Sequence, residues 1–271
     1  MDEAVATIAV GQNPRGVALS PDGRHAYVAD HDSRALSVVD TAARTVVATV
    51  PLEFEPVGVA LTPDGYRAYV SQHPDRVSVL DLRGRAVVAD VTVPGFPMGL
   101  AVAPDGRHAY VTVSFQSELS LIDTATDTVV GTTGPLDTGA PVAVALAPDG
   151  RQAYVATEGT CVVEILDTGS NTVVPGRQIV VGCAATDVAF TPDGRHALLV
   201  SDTLDRAAEL YVIDTATQKA GPAVFVGESA FGVAVAPDGR HVFLTVPRSG
   251  SLIVVPTSKF LGSDSPPEDD V

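Results

Sequence analysis

The sequence predicts an all-β protein, a six-bladed β-propeller with four antiparallel strands in each blade. One observation is a repeat, because the tripeptide Pro-Asp-Gly begins at residues 21, 63, 104, 148, 192 and 237. The steps of 42, 41, 44, 44 and 45 residues indicate one supersecondary unit built six times. The other observation is that each unit holds four short, Val-rich runs, a strand count and repeat length typical of a propeller blade.

The first unit shows how the elements are assigned. Its four runs are residues 16–20, 25–30, 36–40 and 45–50, and their short length and high Val content favour strands. Between the first two runs, Pro21 presets the backbone of a tight turn and Gly23 supplies the positive φ that closes it. Pro-Asp-Gly therefore predicts a hairpin. An aspartate followed by Thr or Leu ends the third strand at residues 40, 81, 123, 167 and 214.

The two ends of the propeller complement each other. Residues 4–10 resemble the fourth strand of a blade, but no first, second or third strand precedes them. The last unit has three strands, the last at residues 251–255, and no fourth. We therefore expect the N-terminal strand to complete the last blade, which leaves no open edge. The propeller is expected to span residues 1–256, and the acidic tail, 257–271, is expected to be disordered.

Tyrosine followed by valine recurs in the second strands, at residues 27, 69, 110 and 154. The third strands read Leu-Ser-Val-Val-Asp-Thr from Leu36 and Leu-Ser-Leu-Ile-Asp-Thr from Leu119. In these residues the chain resembles the YVTN family of β-propeller repeats, over residues 1 to about 256. The resemblance implies a fold rather than one function, because that family hosts unrelated activities. Propeller lactonases and streptogramin lyases are similar more distantly, in architecture, and the histidine- and metal-rich constellation of such lyases is not matched here.

The chain is acidic, with a formal net charge of −16 at pH 7. This charge argues against nucleic acid or an anionic membrane surface as a partner. No secretory signal and no long apolar span are visible, and two cysteines are too few for a disulfide framework. We therefore expect a cytoplasmic protein, a monomer, whose partner is a small, mostly apolar molecule. The alternative is an extracytoplasmic surface protein, like many YVTN relatives, whose signal sequence has been removed.

The six histidines fall into two groups, one on each face of the propeller. Four of them follow the turn glycine by two residues, and this repetition indicates a structural role: His25, His108, His196 and His241. His31 and His73 instead lie in variable loops on the other face, after Asp30 and Gln72. A neutral imidazole there is suited to general acid–base catalysis, with Asp30 and Gln72 beside it in a binding site. The alternative is a pair of exposed loop histidines.

The axis end of each first strand supplies another set of candidates. Four strands begin with Pro-x-Gly or Pro-x-Ala, and the middle residues should crowd the channel mouth; across the six blades they are Arg15, Val57, Met98, Val142, Thr186 and Phe231. Asp187 replaces the Gly or Ala of the other repeats. An acid beside an apolar channel has a raised pKa and can transfer protons. The alternative is an ion pair between Asp187 and Arg15 that closes the ring.

Loop aromatics gather on the same variable face. Phe54, Phe96 and Phe115 lie in loops, and with Met98 and Phe231 they predict a pocket for a mostly apolar ligand. The alternative is that they only pack the loops together. Cys161 and Cys183 also fall on this face, but no third ligand at zinc spacing accompanies them, so no metal site is expected.

These residues favour an enzyme that needs no cofactor and acts on a small molecule at the channel mouth. Isomerisation, cyclisation or a lyase reaction of a biosynthetic kind fits, with Asp187, His31 or His73 moving protons and Arg15 holding an oxyanion or carboxylate. Thr186 and the aromatic residues would shape the pocket. One alternative is a propeller that binds a ligand or another protein without catalysis, and another is a lactone hydrolase.

Overall fold

The computed structural model describes residues 4–137, 139–202, 208–227 and 229–261. The first strand is β1 (Ala6–Ala9). Blade 1 contains β2 (Pro14–Leu19), β3 (His25–Asp30), β4 (Ala35–Asp40) and β5 (Thr45–Pro51). Blade 2 contains β6 (Pro56–Leu61), β7 (Arg67–Gln72), β8 (Arg76–Asp81) and β9 (Ala86–Thr92). Blade 3 contains β10 (Pro97–Val102), β11 (His108–Val113), β12 (Glu118–Asp123) and β13 (Thr128–Thr132).

The second half of the ring repeats this pattern with one irregular blade. Blade 4 contains β14 (Ala140–Leu146), β15 (Gln152–Glu158), β16 (Val162–Asp167) and β17 (Thr172–Val180). Blade 5 contains β18 (Ala185–Phe190), β19 (His196–Asp202), β20 (Ala208–Asp214), and an outer strand in two pieces, β21 (Lys219–Ala220) and β22 (Val224–Gly227). Blade 6 contains β23 (Val233–Val235), β24 (His241–Val246) and β25 (Ser251–Pro256), with β1 as its outer strand. The prediction of six four-stranded antiparallel blades is confirmed.

The ring closes as the sequence predicts. The strand β1 pairs antiparallel with β25, in a register that sets Ile8 opposite Leu252. Ile8 is buried and packs with Leu252, Val254 and Phe243 of blade 6. The edge of β25 is therefore covered by the other end of the propeller, and no unpaired strand is left at the seam.

The repeated turn residues fasten the blades locally. In blade 1, Gly23 has a φ of 69°, and its N–H donates to the carbonyl of Ser20 at 2.8 Å. The hydroxyl of Thr41, in the turn after β4, donates to the carbonyl of Gly23 at 2.7 Å. Thr168 and Thr215 make the same bond in blades 4 and 5. This bond explains why the Asp-Thr pair recurs one strand after Pro-Asp-Gly.

The core lies between neighbouring blades. Side chains of β3 and β4 are almost all buried, whereas most of β5 is exposed. Tyr27 and Leu36 of blade 1 pack with Val59 and Leu80 of blade 2 in one buried cluster. Because each blade buries both faces of its two middle strands, the ring around the axis is closely packed.

The described chain ends in a short helix that packs against the propeller. The expectation that residues 257–271 are disordered is wrong for their first part, because Thr257 is buried and α1 (Ser258–Leu261) follows it. Phe260 and Leu261 pack against the apolar cluster between blades 5 and 6. Residues 262–271 lie outside the described part of the chain.

None of the described helices has the length and apolarity needed to cross a membrane.

Candidate active site at the channel mouth

A β-bulge lies at the start of the inner strand in blades 1 to 5, where the repeat reads Pro-x-Gly or a variant of it. The register between β2 and β3 shifts between Pro14 and Val17, and equivalent shifts occur in blades 2 to 5. A Cβ added at Gly16 would lie 2.7 Å from the carbonyl oxygen of Val57, so the inner strands of blades 1 and 2 approach too closely for a side chain. The glycines of this position are thus required by the close approach of the strands.

A cavity of about 290 Å³ lies on the axis of the ring. All six inner strands contribute to its wall, which is made mostly of Gly, Ala, Val and Leu. Thr186 and Asp187 are the polar side chains among the described residues of this wall. Asp187 is therefore the titratable group among the described residues of this wall.

The carboxylate of Asp187 is held by two backbone N–H groups. The N–H of Val188 donates to Oδ1 at 2.9 Å, and the N–H of Val233 in blade 6 donates to Oδ2 at 2.8 Å. Burial raises the pKa of Asp187 to about 7, although both hydrogen bonds act in the opposite direction. No ion pair joins Asp187 to Arg15 among the described residues, so the alternative of a ring-closing ion pair is not what the structure has.

Arg15 and Phe231 stand together at the mouth of the cavity. The guanidinium carbon of Arg15 lies 5.2 Å from the centre of the Phe231 ring, and Phe231 itself lines the cavity. The backbone here is fixed between blades, because Thr245 donates its hydroxyl to the carbonyl of Arg15 at 2.5 Å and Thr186 donates to that of Phe231 at 2.8 Å. Thr186 thus lines the cavity and also binds blade 6 through the carbonyl of Phe231.

The structure brings the two variable-loop histidines together. Their ring centres lie 6.1 Å apart, edge to face. His31 donates from Nδ1 to the carboxylate of Asp32 at 2.7 Å, which leaves its Nε2 as an acceptor when the ring is neutral. Burial, and next the charge of Arg15, lower the pKa of His73, so this ring is neutral at pH 7. The Nε2 of His73 lies 3.4 Å from the sulfur of Met98.

Aromatic rings extend this cluster outward. The ring of Phe96 lies 5.0 Å from that of His73 and 4.9 Å from that of Phe115, and 76% of Phe115 is exposed. The loops are therefore packed together by these rings while one face of Phe115 stays in solvent. Phe54 is separate, because its ring lies under the guanidinium of Arg76 at 4.6 Å.

Asp30 and Gln72 are structural rather than ligand-facing. Both are fully buried. Asp30 accepts a hydrogen bond from the hydroxyl of Ser37 at 2.5 Å, and burial raises its pKa to about 6. Gln72 accepts from the N–H of Phe54 at 3.0 Å. The expected roles of these two residues in substrate binding are corrected accordingly. Asp32, which sequence reasoning missed, is the partner of His31.

The two cysteines form a disulfide. Cys161, in the loop between β15 and β16, is bonded to Cys183, which precedes β18. The cysteine argument for a reducing compartment is therefore wrong, and the cytoplasmic location stays a prediction without that support. The disulfide ties blade 4 to the strand that carries Thr186 and Asp187. Within the described residues no group of three or more His, Cys, Asp or Glu side chains is placed to hold a metal ion.

Comparison with known proteins supports the fold alone. No family model matches the chain, and no curated protein matches it. Among solved structures, it is similar to the hydrazine synthase of Kuenenia stuttgartiensis, with a TM-score of 0.73 and 23% identity, over 94% of this chain and 80% of that one. At this identity the likeness shows a shared propeller architecture. The resemblance to YVTN repeats stays a prediction, since it rests on the repeat residues only.

Proposed function

We propose that the protein is an enzyme that transfers a proton on a small, mostly apolar molecule bound in the axial cavity, with Asp187 as the general base or acid. The observation that carries this proposal is a single carboxyl group with a pKa of about 7 in an otherwise apolar cavity of about 290 Å³. An acid–base group is most effective when its pKa lies near the operating pH, and burial has moved Asp187 there. Isomerisation or cyclisation by proton removal and return fits such a group.

The rest of the mouth supports the same chemistry. His73 is neutral at pH 7 and His31 is oriented by Asp32, so two imidazoles are available to exchange protons with solvent. Backbone N–H groups from two blades donate to the carboxylate of Asp187 and so fix the position of its side chain. Fixed geometry of this kind is what a general base requires.

Deuterium exchange at carbon tests the proposal across a mixture of compounds at once. The protein is incubated in D₂O with a pool of apolar ketones, lactones and unsaturated acids, and incorporation is read by mass spectrometry. We expect exchange in at least one compound, and Asp187→Asn should reduce it about 100-fold or more, the contribution typical of a positioned general base. The matched control is Asp105→Asn, which makes the same change in a turn on the opposite face, where Asp105 accepts from the N–H of Arg107.

Two outcomes would contradict the proposal. One is the absence of exchange in every compound of the pool with the wild-type protein. The other is exchange that Asp187→Asn leaves unchanged while its circular dichroism spectrum stays that of the wild type.

A ligand-binding protein without catalysis is the second candidate, and the exposed ring of Phe115 favours it. In that case compounds of the pool bind but do not exchange. Phe115→Ala would weaken their binding, whereas Asp187→Asn would leave it within a factor of about two.

A further inference from the structure

In this acidic protein the guanidinium of Arg15 has no ion-pair partner among the described residues. The chain carries a net charge of −16, and neighbouring arginines on the variable face have acidic partners: Arg34 binds Glu55 at 2.5 Å, and Arg76 binds Glu53 at 2.6 Å. Among the described residues, Arg15 has neither an ion pair nor a side-chain hydrogen bond, and burial lowers its pKa. A partly buried charge without a counterion is costly, so its retention at a cavity mouth needs an explanation.

The nearest groups leave Arg15 free for a ligand. The carboxylate of Asp32 acts on it only at longer range and accepts hydrogen bonds from His31 and Asn13 through the same oxygen. His73 is neutral at pH 7, so it adds no second positive charge beside Arg15. The five donors of the guanidinium therefore have no bonded protein acceptor among the described residues.

Arg15 lies next to a residue of the cavity wall. Its side chain lies over Phe231, and Phe231 is part of the cavity wall. An anionic group bound at Arg15 would carry an attached apolar body past Phe231, along walls made of residues such as Val57, Leu100 and Val233. The cavity of about 290 Å³ equals roughly ten water volumes of ~30 Å³ each, so the body that fits has about that number of heavy atoms.

We propose that Arg15 is a carboxylate-binding subsite and that the ligand of this channel is a small apolar monocarboxylic acid, an inference that rests on the site of the proposed function. One planar guanidinium matches the two oxygens of one carboxylate in a bidentate pair. The wall offers only Thr186 and Asp187 as polar side chains among its described residues, so the body of the acid must be apolar. A phosphate dianion carries two negative charges, of which Arg15 alone compensates one.

The test compares acids with their neutral counterparts. Benzoate and cyclohexanecarboxylate are titrated against benzamide and cyclohexanecarboxamide by calorimetry at pH 8 and low salt, with phenyl phosphate as a third probe. We expect each acid to bind at least tenfold more tightly than its amide. Arg15→Gln should abolish that difference, while Arg34→Gln, which removes an arginine already paired with Glu55, should retain it.

The outcomes separate this inference from the proposed function. Asp187→Asn should lose deuterium exchange but keep the preference for acids. Equal binding of acids and amides, tighter binding of phenyl phosphate than of benzoate, or no binding of any probe to the wild type would overturn the subsite, whatever the exchange assay gives. A thermal unfolding curve of Arg15→Gln like that of the wild type would show that a lost preference is local.

Discussion

Asp187 occupies a position where the other five inner strands have glycine or alanine: Gly16, Gly58, Gly99, Ala143 and Gly232. Where glycine stands, the neighbouring blade approaches too closely for a Cβ, as at Gly232, where one would lie 2.3 Å from the carbonyl oxygen of Arg15. Asp187 instead reaches across to blade 6 and accepts the N–H of Val233. One side chain thus replaces close backbone packing and places an ionisable group on the axis.

The raised pKa of Asp187 predicts how stability depends on pH. Its folded pKa of about 7 exceeds the ordinary value of 3.8, so the folded state holds a proton that the unfolded chain releases between those limits. The contribution of Asp187 to the free energy of unfolding should therefore fall as pH rises from 5 to 7 and level off above that. Asp30, with a pKa of about 6, adds the same sign, whereas the lowered pKa of His73 adds the opposite sign below pH 6.5. One such group contributes up to ~1.4 kcal/mol per pH unit.

Urea unfolding at pH 5, 6, 7 and 8 measures this slope. Asp187→Asn should make it shallower, and Asp105→Asn should leave it as it is. An Asp187→Asn variant whose stability has the same pH slope as the wild type would show that Asp187 is ionised in the folded state over this range. The turn aspartates do not interfere, because their pKa values are lowered and they titrate below this window; Asp22, Asp123 and Asp167 are examples.

At the scale of elements, the disulfide joins the loop between β15 and β16 to the loop between β17 and β18. Cys161 follows β15, and Cys183 precedes β18, so the bond closes a loop that contains the whole of β16 and β17. The carbonyl of Cys183 also accepts the hydroxyl of Ser201 at 2.6 Å. The strand that carries Asp187 is therefore anchored at its beginning from both blade 4 and blade 5.

Removing the disulfide should destabilise the protein. The sequence separation is 22 residues, for which loop-closure entropy gives about 3 kcal/mol. The double variant Cys161→Ser, Cys183→Ser should lose about that much free energy of unfolding in urea. A thiol-free reductant should lower the stability of the wild type equally and leave the variant unaffected. An unchanged midpoint for the reduced wild type would contradict this expectation.

At the scale of the whole molecule, the ring is sealed by the short strand β1. Ile8 is 3% exposed and fills the space between Leu252, Val254 and Phe243. The side chain of Arg44 in blade 1 also donates to the carbonyl of Val5 at 3.0 Å, which ties the sealing segment to the next blade. Blade 6 and blade 1 are thus coupled through the N-terminal segment.

A cavity at the seam should lower the stability of the entire ring. Ile8→Ala shortens a buried side chain to a single methyl group and should cost about 2–4 kcal/mol. Calorimetry should show one transition at a lower temperature, because all six blades share the closed ring. Val47→Ala, in the outer strand of blade 1 with 44% of its surface exposed, is the matched control and should change stability by less than about 0.5 kcal/mol. Two separate transitions for Ile8→Ala would show that blade 6 opens alone.

The parts of this structure that the sequence predicts are those governed by local, repeated chemistry. The turn at Pro21 to Gly23 repeats six times, so strand order, blade count and the position of Asp187 on the axis follow from alignment of the repeats. The loops have no such repeat. Whether the side chain of Asp30 points into the blade or towards His31 is decided by its hydrogen bond to Ser37 on the neighbouring strand, which the loop residues do not reveal.

Three findings depend on contacts between distant segments or on loop conformation, and local patterns do not predict them. The Cys161–Cys183 bond requires two loops from different strands to meet. The pairing of His31 with Asp32 requires a particular loop conformation, although an acid directly after the histidine was a visible signal. The order at residues 257–261 depends on an apolar surface that blades 5 and 6 create together.

Asp187, in place of a small residue, affects which enantiomer of a chiral ligand the channel binds. A pore with six equal walls would offer a bound molecule the same contacts in six orientations about the axis, so none of these orientations would be favoured. Here the carboxyl of blade 5, the cation of blade 1 and the ring of Phe231 in blade 6 give three different contacts on one side. Three unlike contact points distinguish enantiomers, so chiral discrimination in this channel belongs to that sector of the ring.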